Sequence, residues 1–196
     1  MTSRLRRRTW FYLRKSRETL RQWDVEMELL DRYDQLVLGR GVQIVNADRL
    51  HIDGEVVIQS GCFIHCGGMR WSEGRGRVSI GAGSVLAPYC VLFGAGEIEI
   101  GKRLDCGPGS MIFSSRSRYE ASPAAQAVSG SHVFGKVTIE DDVTLFAGCI
   151  IGPGVTIGRG AAVAAGSVVL DDIPEHALVA GAPARQIKDL GSGQYG

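Results

Sequence analysis

The sequence predicts an all-β solenoid, a ribbon of very short strands wound into a three-sided coil. Three observations carry the prediction. The first is a six-residue period: in IIGPGVTIGRGAAV, residues 150–163, the apolar positions are Ile151, Ile157 and Val163. A helix repeats its apolar face every three or four residues and a half-buried strand every two, so neither gives a step of six. The second is composition. There are 27 glycines in 196 residues and only 7% aromatics, which means many tight turns and few large core side chains. The third is that the six-step comes in triplets: Ile52, Ile58, Ile64; Ile80, Leu86, Leu92; Ile100, Cys106, Ile112; Ile139, Leu145, Ile151; Ile157, Val163, Val169. Each six-residue unit supplies one flat face and a turn. Three faces close a triangle, and stacked coils bury the aliphatic column.

The elements follow in chain order. Residues 1–38 form a basic, amphipathic helical segment. Leu13, Leu20, Trp23, Met27 and Leu30 give one apolar stripe on a helix spanning residues 15–36, placed to cover an end of the coil, with Gly39 as its stop. Arg4, Arg6, Arg7, Arg8, Arg14, Lys15, Arg17 and Arg21 precede an acidic run from Asp24 to Asp34. Two readings stand: a solvated helix with ion pairs, or peripheral attraction to anionic lipid or a lipid phosphate. The coil occupies residues 39–174. Small or branched residues four places after the column positions, among them Val56, Cys62, Ser84, Cys90, Ser110 and Cys149, fill a second inward row. Residues 175–196 form a cap and tail.

The interruptions point to a working edge. From the third face of one triplet to the first face of the next, the steps are 16, 8, 27 and 6 positions, so the insertions beyond six are 10, 2, 21 and 0 residues. All leave from one corner, and the longest excursion covers about residues 113–136. Such an insertion has no packing duty and is free to carry a binding site.

A formal net charge of +1 gives no global bias toward nucleic acid. No apolar run is long enough to cross a bilayer. Arg7-Arg8-Thr9-Trp10-Phe11 lacks the apolar stretch that would make it an export signal. Five cysteines without a CxxC pair fit a reducing cytoplasm. His51, His65, His132 and His176 lack the clustering that would hold a zinc ion, so no metal is expected.

From about Ile52 to Lys188 the sequence resembles the hexapeptide-repeat acyltransferases, most closely the maltose, galactoside and polysaccharide O-acetyltransferases. The resemblance rests on Val137 to Val169, on Asp172-Ile173-Pro174, and on the tail Ala180-Gly181-Ala182-Pro183-Ala184-Arg185-Gln186-Ile187-Lys188. It implies a left-handed parallel β-helix, a homotrimer and an acyl-CoA co-substrate, commonly acetyl-CoA, held between neighbouring subunits. A histidine takes a proton from the acceptor, which attacks the thioester; no metal is needed. On this pattern Ala147, Gly148, Ala165 and Gly166 line a slim path for pantetheine, and Arg159, Arg185 and Lys188 meet CoA phosphates; the alternatives are the ordinary preference of any solenoid corner for small residues and, for the three cations, a solvated surface.

The sequence departs from the family where the chemistry sits. The family's catalytic histidine falls on Ser117, a nearby acidic position on Gly94 and a polar amide position near Pro88. The family's Thr-Lys before Asp-Ile-Pro is here Leu170-Asp171. A serine hydroxyl alone is too weak a base at neutral pH. His132, in the same excursion, and His65, at the mouth of the first insertion, are the substitute candidates. Arg116, Arg118 and Tyr119 around Ser117 favour an anionic acceptor. The expected function is acyl transfer to a hydroxyl of a sugar, glycan precursor or natural-product intermediate. The rival is a relative that has lost catalysis and serves as a binding or scaffold subunit.

Overall fold

A computed structural model describes residues 23–118 and 132–191. The basic segment 1–22, with its expected lipid attraction, lies outside the described residues, as does Tyr119.

Three parallel sheets make the body, and the chain visits them in rotation. The first face stacks Leu50–Ile52, Val78–Ile80, Ile98–Ile100, Val137–Ile139 and Thr156–Ile157. The second stacks Leu36–Leu38, Val56–Ile58, Ser84–Leu86, Asp105–Cys106, Thr144–Leu145 and Ala162–Val163. The third stacks Gln43–Val45, Phe63–His65, Val91–Phe93, Met111–Phe113, Ile150–Ile151 and Val168–Val169. Register keeps like positions together: Ile52 pairs with Ile80, Ile80 with Ile100, Ile100 with Ile139 and Ile139 with Ile157. Bonds between rungs close the ladder, as where the N–H of Gly101 donates to the Ile139 carbonyl at 2.7 Å. The arrangement fits a parallel β-helix.

Every residue of the six-step column is buried, and so is the second inward row. The buried serines in that row are satisfied by hydrogen bonds. Ser84 Oγ donates to the Gly101 carbonyl at 3.2 Å and accepts the Leu104 N–H at 3.1 Å. Ser110 Oγ donates to the Phe146 carbonyl at 3.1 Å and accepts the Cys149 N–H at 3.2 Å. Each serine thereby ties a corner to the next rung, which removes the penalty that burial would otherwise place on a polar group. The thiols behave likewise: Cys62 donates to the Ala87 carbonyl at 3.2 Å and Cys149 to the Phe146 carbonyl at 2.9 Å. Burial raises the Cys66 thiol to about 12, so it stays a neutral core group.

Two details of the N-terminal reading change. The described part of the helix covers 23–32, and Trp23, Met27 and Leu30 are exposed; Leu29 is the buried residue, with Val25 and Tyr33 packed beside the core. Positions 25, 29 and 33 form an i, i+4 row, and that row rather than the larger side chains faces the coil. Tyr33 fixes it by donating from Oη to the Leu50 carbonyl at 3.0 Å. The first rung also starts at Leu36, before the expected boundary at residue 39. Gly39 belongs to a coil corner, not a helix end: a Cβ there would stand 2.4 Å from the Ser60 backbone nitrogen. At the other end Ala177–Gly181 joins the second face and Ala184–Asp189 folds back antiparallel against it.

Candidate functional site

All the long insertions leave between the third and first faces, and two of them meet. The first insertion follows His65 and contains a 3-10 turn, Arg70–Ser72. Its neck is two glycines back to back: a Cβ on Gly67 would lie 2.5 Å from the Gly76 Cα. Ser72, fully buried, donates to the Met69 and Arg75 carbonyls at 2.9 and 3.2 Å and holds the loop in shape. The longest excursion leaves as a strand, Ser115–Ser117, and returns antiparallel as His132–Phe134. Ser114 anchors its root, donating from Oγ to the Phe93 carbonyl at 2.9 Å and accepting the Gly96 N–H at 2.8 Å.

Ser117 and His132 are register partners in that hairpin. Residues directly opposite in an antiparallel pair have Cβ atoms about 4.5–5.5 Å apart and side chains on the same face. Ser117, where the resemblance leads one to expect an imidazole, therefore has the His132 imidazole across the ladder. Arg116 pairs with Val133, so it lies on the hairpin's other face; Arg118 follows the strand and is exposed.

His132 is seated by aromatic rings that the sequence pattern did not single out. Its ring centroid is 4.6 Å from Trp71 and 6.2 Å from Phe134. Trp71 in turn lies 6.1 Å from Phe93 and 6.3 Å from His65, and His65 stacks on Phe93 at 4.6 Å and 15°. The signal that could have found them is placement: Phe93 and Phe134 flank the insertion corner in a chain otherwise poor in aromatics.

His65 is a different kind of histidine. It is buried, and burial holds it below the ordinary imidazole value. Its Nδ1 accepts the Gly67 N–H at 3.1 Å, so the neutral ring carries its proton on Nε2 and has no free acceptor. His51 lies on the first face and His176 at the cap, away from this corner. Gly94 is required sterically, since a Cβ there would stand 2.5 Å from Val78 Cγ2.

The slim ladder forms at the second-to-third corner. The N–H groups of Gly109, Gly148 and Gly166 donate to the carbonyls of Pro88, Pro108 and Ala147 at 3.0, 2.9 and 2.9 Å, so the peptides of these glycines are committed to the coil. The N–H groups of Ala147 and Ala165, both exposed, have no partner among the described residues. A Cβ on Gly109 or Gly166 would meet nothing within 4 Å, so the path is open. Tyr89, in the left-handed region at φ 64°, leans against Gly61 and ends it. Arg185 pairs with Asp171 at 3.2 Å near this corner's last rung, where the Gly181 N–H donates to Ser167 Oγ. Lys188 lies on the capping hairpin. Arg159 stands elsewhere, at the first-to-second corner among Glu140, Asp141 and Glu175.

Residues 136–171 match the family described as bacterial transferase hexapeptide (six repeats). The chain carries transferase hexapeptide repeats. The chain is similar to the 2,3,4,5-tetrahydropyridine-2,6-dicarboxylate N-acetyltransferase of Clostridium perfringens, 54% identical over 52 residues, which is 26% of this chain and 22% of that protein. The enzyme of the same name from Staphylococcus aureus is 40% identical over 88 residues, 45% of this chain and 31% of that protein. The chain thus spans less than a third of the length of these curated relatives. Among solved structures, a variant of AntD, an N-acyltransferase from Bacillus cereus in complex with dTDP-4-amino-4,6-dideoxyglucose and coenzyme A, superposes with a TM-score of 0.70 at 24% identity, covering 85% of this chain and 89% of that one. AntD with dTDP and 3-hydroxybutyryl-CoA gives a TM-score of 0.69 at 24% identity, covering 80% and 81%. At that identity the likeness establishes a shared fold around the hexapeptide repeats. Among the described residues no three His, Cys, Asp or Glu side chains are grouped to hold a metal ion.

Proposed function

We propose that this protein is an acyl-CoA-dependent acyltransferase with its catalytic base moved across a hairpin. The observation that carries the reading is the register pairing of Ser117 with His132 beside Trp71. His132 takes the proton from an acceptor hydroxyl or amine, and the freed lone pair attacks the thioester carbonyl. The tetrahedral intermediate collapses, the carbon–sulfur bond breaks, and the thiolate takes the proton back from His132 to leave as free CoA. Ser117 orients the acceptor or the imidazole. His65, with its accepting nitrogen engaged, packs the aromatic column that holds His132. The acceptor is a sugar, a glycan precursor or a natural-product intermediate, acylated on oxygen or, as in the named relatives, on nitrogen.

The chain works as a homotrimer of left-handed coils. In one chain the bare ladder and the His132 hairpin occupy different corners, with the third face between them. One outward row of that face runs from Gln43 through Phe63, Val91, Met111, Ile150 and Val168, and its five apolar members favour contact with another copy. Packing copies on it brings the ladder of one toward the hairpin of the next. The pantetheine arm then runs along Ala147, Gly148, Ala165 and Gly166, using the unpaired N–H groups of the alanines. Arg185 and Lys188 take CoA phosphates, and Arg159 contributes only from a neighbouring copy. Arg116 and Arg118 face an anionic part of the acceptor. The setting is cytoplasmic, in keeping with the buried free thiols.

The test is thiol release from acetyl-CoA with a panel of sugars and amino sugars, beside calorimetric CoA binding. His132→Ala is expected to lose about 10²–10⁴-fold in turnover with CoA affinity kept. Activity that appears only in Ser117→His would point to a decayed site. Absence of CoA binding would leave the scaffold reading in its place.

A further inference from the structure

A second feature opens from the insertion corner and is not used by the acyl-transfer chemistry. It is a groove of about 610 Å³ whose walls include Arg49, Arg75, Arg77, Lys136, Glu97 and Phe134. Four cations face one carboxylate there, on a chain whose overall charge is +1. The excess is local: a comparable depression on the same coil is lined by Glu99, Glu140, Asp141 and Glu175 with Arg159 alone opposing them.

Two of the cations are held in place. Arg49 Nη1 donates to the Gly76 carbonyl at 3.1 Å, and its guanidinium fills the space beside Gly68. The Arg75 guanidinium lies over the Phe134 ring, 5.8 Å from the centroid. Acidic partners stand outside the groove lining: Asp48 at 4.0 Å from Arg49, Glu73 at 3.1 Å from Arg75, and Glu99 paired with Lys136. These are solvent-exposed pairs, which are weak and yield readily to a ligand offering several oxygens. The Arg77 guanidinium has no hydrogen bond or ion pair among the described residues, its backbone carbonyl alone accepting the Ile98 N–H, and Glu99 senses its charge at longer range.

Phe134 belongs both to this groove and to the ring cluster that seats His132, whose centroid is 6.2 Å away. A ligand bound in the groove through an anionic end therefore has its next group beside His132. One sugar ring spans a comparable distance between a phosphate on one carbon and a hydroxyl or amine across the ring. We propose that the groove is a phosphate subsite for the acceptor, and that the acceptor is a glycosyl phosphate or diphosphate rather than a neutral sugar. The word acceptor rests on the acyltransferase reading above; binding of phosphate does not.

The experiment is calorimetry on the full chain at low ionic strength, with inorganic pyrophosphate, glucose 1-phosphate and uridine diphosphate glucose as probes, and CoA titrated in parallel. Wild type is expected to bind pyrophosphate whether or not CoA is present. Arg77→Gln and Lys136→Gln, both exposed positions that leave the melting curve in place, are each expected to weaken it about tenfold. Tighter binding of the nucleotide sugar than of the sugar phosphate assigns the groove to a diphosphate; the reverse assigns a monophosphate. Wild type that ignores all three probes, variants that bind as wild type does, or displacement of pyrophosphate by CoA would each overturn the proposal. Pyrophosphate binding that depends on Arg77 in a protein that ignores CoA would uphold the groove and remove the acyltransferase reading. CoA binding without pyrophosphate binding would do the opposite.

Discussion

Trp71→Ala is expected to undock the hairpin that carries His132 while leaving the coil folded. Trp71 sits in the first insertion, and its ring is the surface on which that insertion meets the long excursion. The indole packs against two rings of the hairpin, His132 at 4.6 Å and Phe134 at 6.3 Å between centroids, and alanine reaches neither. Aromatic pairs contribute about 0.5–1.5 kcal/mol each beyond area burial, so the docked hairpin is weakened by about 1–3 kcal/mol, a factor of roughly 5–150 in its docking equilibrium. Trp71 is no part of the buried aliphatic column, so the cooperative melt of the coil stays in place. Amide hydrogen exchange of residues 132–134 reads the docking directly, and turnover with acetyl-CoA reads its consequence. Faster exchange at 132–134 with unchanged exchange at 137–139 and 150–151 is the expected pattern. If 132–134 remain as protected as in wild type and turnover is unaltered, Trp71 does not position the histidine.

Further outcomes follow from the same structure. Ile112→Ala removes a fully buried column residue and should cost about 2–5 kcal/mol, seen as a lower denaturation midpoint with an unchanged slope. Ala165→Leu adds bulk at an exposed ladder position; CoA affinity should drop at least about tenfold while stability stays within roughly 0.5 kcal/mol, and retained affinity would place CoA elsewhere. Burial depresses the His65 imidazole, so the folded chain binds that proton less readily than the unfolded one. Stability from this group is present above the unfolded value near 6.5 and is lost as pH falls toward the folded one. A melting series from pH 8 to 5 should show that decline, and His65→Asn, which keeps an acceptor for the Gly67 N–H, should flatten it.

The coil itself was legible because its period is a property of the local chain. A residue every six positions faces inward whatever lies in the neighbouring rung, so Ile52 to Val169 could be placed in the core without knowing any contact. The edge from which insertions leave was legible for the same reason, being a matter of counting. The helix was less so. Trp23, Met27 and Leu30 have the right spacing and the greater hydrophobicity, yet Val25, Leu29 and Tyr33 make up the row turned toward the coil, because the angle at which the helix meets the coil end selects the row.

What only the tertiary structure decided is which insertion residues meet. Strand register within an excursion is free to slip where neither face is buried, so nothing in the order of residues fixes His132 opposite Ser117. The match comes from the root of the hairpin, where Ser114 and Gly135 are bonded to each other, Ser114 to Phe93 of the preceding rung and Gly135 to Gly154 of the following one. Trp71 and His132 are brought together because two loops, from the rungs on either side of the short Phe93–Ile98 corner, project from one edge and shed water against each other. Sequence by itself set the coil, its rung spacing and its open edge; the packing of those loops, a contact between distant stretches of chain, made a site of them.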